Sequence, residues 1–140
     1  MPEHHVEAIE SAVARLNAAD IDGYLAQFEP ECLHWISGIT EPMLMPDFIE
    51  SLHAMRRGLP DMRLHAVNIF GVDNYVCAQW RTQGTHSAEL FGMPATHRTV
   101  SFDTAEVYEL GDDGRVRTSW AFGDVGELFR QIDGTEGSPS

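Results

Sequence analysis

The sequence predicts an α+β fold, and three observations predict it. Apolar residues recur at helical spacing in the first part of the chain, and period-two alternation dominates the second part. Between them lie one short strand-like run and one more helical pattern. Strands that alternate polar and apolar bury one face only, which argues against a parallel, doubly wound sheet with helices on both sides.

The elements follow in order. Val6, Ile9, Val13 and Leu16 share one helical face, with Glu7, Glu10 and Arg15 elsewhere, so an amphipathic helix ends near Asn17-Ala18-Ala19. Asp20 is a good N-cap for a second short helix with Ile21, Tyr24, Leu25 and Phe28, which Glu29-Pro30 stops. Cys32–Ile36 reads as a strand and Ser37–Glu41 as a loop. Pro46 suits the first turn of a third helix whose buried stripe is Phe48, Ile49, Leu52 and Met55 and whose end is Arg56-Arg57-Gly58. Met62–Phe70, Tyr75–Gln83 and Thr99–Leu110 alternate as strands, and Asp112-Asp113-Gly114 turns into a fourth, Arg115–Phe122. A last helix starts at Asp124, where Asp124 and Glu127 have capping-box spacing, and carries Val125, Leu128, Phe129 and Ile132.

Composition sets bounds. The 140 residues suit one domain, expected over 1–133, with a loose tail at 134–140. A net charge of −13 argues against nucleic acid and anionic membrane surfaces as partners. Pro2-Glu3-His4-His5 lacks a basic start and no apolar leader follows, so a cytoplasmic protein is expected, with His4 and His5 loose at the terminus. Cys32 and Cys77 sit in apolar runs as free thiols. The seven histidines show no metal-ligand spacing, and no dinucleotide fingerprint or P-loop is present. No metal and no cofactor are expected.

Gly84 to Arg98 is an extended loop between two long strands, with Leu90, Phe91 and Met93 giving it something to pack. Its Gly84-Thr85-His86, Gly92, Pro94, Thr96 and Arg98 resemble the Gly-Thr-His-x-x-x-x-x-Gly-x-Pro-x-Thr-x-Arg segment of the SnoaL-like polyketide cyclases. Those belong to the nuclear transport factor 2-like superfamily of cone-shaped α+β barrels. The Asn17–Asp22 connection between two helices looks like the same superfamily, and the likeness runs to Ile132. The resemblance implies N-terminal helices packed on a curved antiparallel sheet, an apolar cavity, and a homodimer through the sheet. It also implies catalytic acids that are absent here. The cyclases' aspartate on the last strand falls on Ala121, as does the acid of the related epoxide hydrolases. The ketosteroid isomerases' base falls on Ile36 and their oxyanion tyrosine on Ala12.

Glu106 takes the remaining interest. It shares a strand face with Val100, Phe102, Thr104 and Tyr108, and a carboxylate among apolar neighbours suits general-base work. An ion pair with Arg117 on the next strand is the competing reading. Thr104 and Glu106 also match two ligand-contacting positions of the cyclases. His86 either orients a ligand or bonds the backbone of its turn. Tyr24, His53, Phe91, Met93, Phe102 and Ala121 complete the candidate substrate contacts. Strand parity leaves two choices. Of His34 and Trp35 one faces inward, Trp35 being preferred on hydrophobicity, and the Trp80 and Arg81 pair stays open. Trp120, Phe122 and Val116 are read as sharing a face opposite Ala121.

Two functions follow. One is a cofactor-independent cyclase of specialised metabolism acting on a small hydrophobic, polyketide-like substrate, with Glu106 as base or with pocket shape alone directing closure. The other is a non-catalytic binder of small hydrophobic molecules that lacks the family's acids.

Overall fold

Three helices cover one face of an open five-stranded sheet in the computed structural model, which describes residues 2–38, 40–123 and 125–134. Asp124, expected to cap the last helix, and the tail from residue 135 lie outside the described residues. Helix α1 (Pro2–Asn17) buries Ile9, Ala12, Val13 and Leu16, so His4 and His5 lie in a helix rather than in a loose end. Asp20 caps α2 (Ile21–Leu25) by accepting from the Gly23 amide at 2.9 Å. That helix is shorter than expected. Phe28 already belongs to β1 (Phe28–Ile36), since Pro30, poor in a helix interior, is tolerated on an edge strand.

Helix α3 (Met45–Gly58) has Pro46 in its first turn and Arg56 and Arg57 in its last, as the sequence predicts. It carries the chain from β1 at one sheet edge to β2 (Arg63–Val72) at the other. A meander follows through β3 (Tyr75–Thr85), β4 (Thr99–Leu110) and β5 (Val116–Phe122), and α4 (Val125–Asp133) closes the chain. The order is β1-β5-β4-β3-β2. The four meander strands pair antiparallel, but β1 lies parallel to β5, so the sheet is mixed where an antiparallel one was expected. The chain leaves β1 through a helical crossover, which permits a parallel neighbour that a hairpin would forbid.

The free edge of β2 is capped. The Asn17 side chain donates to the Leu64 carbonyl and accepts from the Leu64 amide, both at 2.8 Å. Those two backbone groups would otherwise stand open to another strand.

Register sorts side chains into rows that cross all five strands. One inward row is Ile36–Ala121–Glu106–Ala78–Ile69. An outward row is Trp35–Trp120–Val107–Cys77–Phe70. Irregularities at Ala66/Asn68 and Glu109/Leu110 change the parity locally. The second of these turns Val116 into the core, away from Trp120 and Phe122, with which it was expected to share a face.

Candidate functional site

Between the sheet and the helices lies a cavity of about 200 Å³. Leu16, Tyr24, Phe48, Leu52, Met55 and Phe102 form most of its apolar wall, and Ser51, Thr82, Thr104 and Glu106 bring polar atoms to it. The elements explain the arrangement. Glu106 and Thr104 alternate inward on β4, Thr82 does so on β3, and Phe48, Ser51, Leu52 and Met55 follow helical spacing on α3. Glu106 is flanked in its row by Ala121 and Ala78, whose methyl groups leave room around the carboxyl.

Burial pushes the Glu106 carboxyl up from its ordinary value, and a hydrogen bond from Tyr108 works against that rise. Glu106 is half-buried and lines the cavity. Trp80 Nε1–H donates to the Tyr108 hydroxyl at 2.9 Å, both residues being buried. The Tyr24 hydroxyl lies near enough for the Glu106 charge, after burial itself, to help raise its pKa. Arg117 is not a partner of Glu106. It pairs with Glu109 at 3.0 Å on the opposite face.

His34 packs behind Phe48 of the cavity wall. Its ring stacks on Phe48 with centroids 3.7 Å apart and planes within 6°. Nδ1 meets the Ser119 hydroxyl at 2.8 Å and Nε2 lies 3.2 Å from the Met45 sulfur. Burial lowers its pKa to about 4, so the ring is neutral at pH 7. The unfolded chain takes up this proton near the ordinary histidine value of about 6.5, and the fold refuses it until about 4. Stability is therefore expected to fall as pH drops through that window. Urea unfolding between pH 7 and 4 should show a shallower decline for His34→Gln than for the native chain. Equal slopes would remove His34 as the cause. The raised carboxyl of Glu106 acts with the opposite sign, since ionising it costs the fold as pH rises.

The structure sorts the residues expected from sequence. Tyr24, Phe102, Thr104 and Glu106 line the cavity. Trp80 points inward, behind Tyr108, and Ala121 stands beside Glu106. Trp35 does not face the cavity. Its register with Trp120 sends it outward, and its neighbour His34 takes the inward place. Arg81 is likewise outside, in a bidentate pair with Asp103 at 2.8 and 3.0 Å. His53 is exposed on α3, off the stripe that Phe48, Leu52 and Met55 turn inward.

His86 is fully buried but is not part of the cavity wall, so it is not brought together with Glu106. Its Nδ1 meets the Thr96 hydroxyl at 2.9 Å and accepts from the Thr96 amide at 3.3 Å, while its backbone bonds Arg98 and His97. It ties the two ends of the loop together. Phe91 and Gly92 form the tip, both at positive φ, with Leu90 and Met93 exchanging backbone hydrogen bonds of 3.0 and 2.9 Å across it. That places the Phe91 ring outside, against Phe129 of α4, while Met93 packs beside Leu59 and Leu90 and not in the cavity wall. Leu90 fills the space over Gly58, where an added Cβ would stand 2.7 Å from the leucine's own. Close approach, not a left-handed backbone, is thus the reason for glycine at the end of α3.

The parts missed in the sequence are His34, Phe48, Ser51 and the Trp80–Tyr108 contact. The helical stripe through Phe48, Leu52 and Met55 was a usable signal, while the others needed strand register.

A larger groove of about 740 Å³ runs past Asp61, Arg63, His65, Gln83 and Gln131 at the ends of β2 to β4. It is open and polar, and its acid is already engaged, since Asp61 accepts from the Thr85 amide and hydroxyl at 2.7 and 2.8 Å. The smaller cavity is the better candidate because it combines apolar walls with a half-buried acid. Among the described residues, no group of three His, Cys, Asp or Glu side chains is placed to hold a metal ion. None of the helices described is long and apolar enough to cross a membrane.

A family model described as SnoaL-like polyketide cyclase matches residues 6–132. Among solved structures the fold is similar to AclR of Streptomyces galilaeus, a proposed hydroxylase. The two are 19% identical with a TM-score of 0.88, over 96% of this chain and 98% of that one. It is also similar to IdmH of Streptomyces antibioticus, a proposed polyketide cyclase, at 19% identity and TM-score 0.80 over 92% and 98%. A LEH-like epoxide hydrolase of M. tuberculosis follows at 16% identity and TM-score 0.71, over 94% and 90%. No curated protein matches the chain in sequence. Identities this low speak for a shared fold.

Proposed function

Because the chain belongs to the SnoaL-like polyketide cyclase family, we propose that it is a cofactor-independent cyclase of specialised metabolism, closing a ring in a small apolar carbonyl compound of the polyketide class. The observation that carries this reading is the place of Glu106. Its row holds the two positions, Ala121 and Ile36, where the resemblance to the cyclases and isomerases would set an acid or base. Glu106 stands one strand along the row from Ala121, about 5 Å away, and lines the cavity.

The chemistry follows from the groups present. The Glu106 carboxylate takes a proton from the carbon beside a carbonyl, and the Tyr24 hydroxyl donates to the enolate oxygen. The enolate carbon then attacks a second carbonyl carbon of the same molecule. The new alkoxide receives the proton back from Glu106, so the closure is a net isomerisation. At about 200 Å³ the cavity is below the common range for ligand pockets, about 300–1,000 Å³. It therefore takes one ring and leaves the rest of a larger substrate in the mouth. Incubation with linear and one-ring polycarbonyl compounds tests the reading. A product of unchanged mass, or one lacking one water, supports it.

The second reading is a non-catalytic binder, favoured by Ala12, Ile36 and Ala121 in the acid/base positions that the resemblance marks. Tight binding of the same compounds without conversion would select it.

The partner surface for a second copy is the outer sheet face. Trp35, Trp120, Val107, Cys77 and Phe70 form one apolar row across it, with Phe70 57% and Phe122 50% exposed. Apolar faces of this kind mark association sites. Light scattering is expected to give a dimer for the native chain and a monomer for Trp120→Asp. A native monomer at micromolar concentration would end the idea.

A further inference from the structure

We propose that Trp80 and Tyr108 are positioning residues that hold Glu106 as a directed hydrogen-bond acceptor, in a relay running Trp80 to Tyr108 to Glu106. The inference rests on the reading of Glu106 as the ionisable group of the cavity and goes a step behind it. The direction comes from donor chemistry. An indole nitrogen only donates, so at 2.9 Å the Tyr108 oxygen accepts from Trp80. That interaction occupies a lone pair of the hydroxyl and leaves its hydrogen free to turn to the Glu106 carboxyl, two residues back on the same face of β4.

The sheet makes the contact possible. Trp80 pairs with Thr104, two residues before Glu106, and Tyr108 stands two residues after it on the same strand. The two side chains therefore meet across the Ala78–Glu106 pair, and the small Ala78 leaves the path open. A larger residue at 78 would part them. Glu106 and Tyr24 both line the cavity, while Trp80 and Tyr108 are not among its lining residues.

A donated hydrogen bond favours the charged carboxylate, and a chain of such bonds strengthens each link. The relay thereby opposes the desolvation of Glu106. The titratable groups facing Glu106 are Tyr108 from β4 and Tyr24 from α2, with Cys32 of β1 beyond Tyr24. The cavity wall contributed by α1, α3, β2 and β3 is uncharged.

The test reads the carboxyl itself, so it does not depend on turnover. Glu side-chain carboxyl carbons are labelled with ¹³C and titrated by NMR, with Glu106→Gln assigning the signal. Tyr108→Phe is expected to raise the Glu106 midpoint by about one pH unit. Trp80→Phe should move it the same way by less. A second measurement needs only the native chain and Glu106→Gln. The Trp80 indole N–H signal should shift as Glu106 titrates, and this response should vanish in Glu106→Gln. Trp35 and Trp120, on the outer face, serve as controls. A midpoint unchanged in Tyr108→Phe, or a Trp80 signal indifferent to Glu106, overturns the relay. Failure of the proposed base role alone would appear as full turnover in Glu106→Gln, and failure of the cyclase reading as no turnover by the native chain, in both cases with the titration linkage intact.

Discussion

Exchange of Glu106 for Gln is expected to lower turnover by about two to four orders of magnitude, the usual contribution of a positioned general base. Substrate affinity should move far less, because the amide keeps the shape of the side chain and much of its hydrogen bonding. Two observations motivate the size of the effect. Glu106 is the carboxylate in the cavity wall, and Ala121 beside it carries no group to take over. In the native protein the proposed rate should climb with pH through a midpoint above the ordinary carboxylate range. Burial raises the carboxyl, and only the deprotonated form accepts the proton. Steady-state kinetics across pH with both proteins settles the matter. If Gln at 106 keeps full turnover while Thr104→Trp or Ala121→Phe abolishes it, closure is directed by cavity shape.

The second large effect concerns two neighbours in the central loop. Leu90 is 0% exposed and Phe91 48%, although the chain offers both as apolar loop residues. Leu90→Ala should cost about 2–5 kcal/mol, because it opens a hole between Gly58, Leu59, Met62 and Leu128 that the surrounding elements fill poorly. Phe91→Ala should cost well under about 1 kcal/mol, since it loses one partly exposed ring contact with Phe129. Phe91 also sits at φ 48°, a region L-residues with large side chains avoid, so Phe91→Gly relieves strain at the tip. Denaturant midpoints of the three variants would compare them directly. Equal losses for Leu90→Ala and Phe91→Ala would show that the loop is not anchored by Leu90.

Much of the fold was legible because it depends on local pattern. The limits of β4 at Thr99 and Leu110 match the structure, and α3 carries its Pro46, Asp47 and paired arginines where capping and dipole logic put them. Glu106 was legible for the same reason, since simple alternation along one unbroken strand decides which way it points. The misassigned residues depend on partners far along the chain. Whether His34 or Trp35 faces inward is decided by β5, because the Ser119 bonded to His34 is 85 residues away. Val116 is turned by an irregularity opposite Glu109 and Leu110, which no period reveals. His86 reads as chemistry by residue type, but it lies outside the cavity wall, with its Nδ1 engaged by Thr96 and its Nε2 buried without a partner. The Trp80–Tyr108 contact crosses strands diagonally, and only register brings those residues within reach.

The parallel edge has a consequence for how the protein is made. β1 is made before the other strands of the sheet, yet among the described residues its sheet neighbour is β5, the last of them. Until β5 emerges, the backbone of Leu33 to Ile36 has no ladder and His34 has no Ser119, while β2, β3 and β4 can already zip as consecutive hairpins. Pairings separated by so much chain bear a heavy loop-closure entropy and form late. Until β5 is made, the nascent chain therefore holds β1, with Trp35 and Ile36, only by the local His34–Met43 bridge. The packing of His34 behind Phe48 of the cavity wall is among the last parts to assemble.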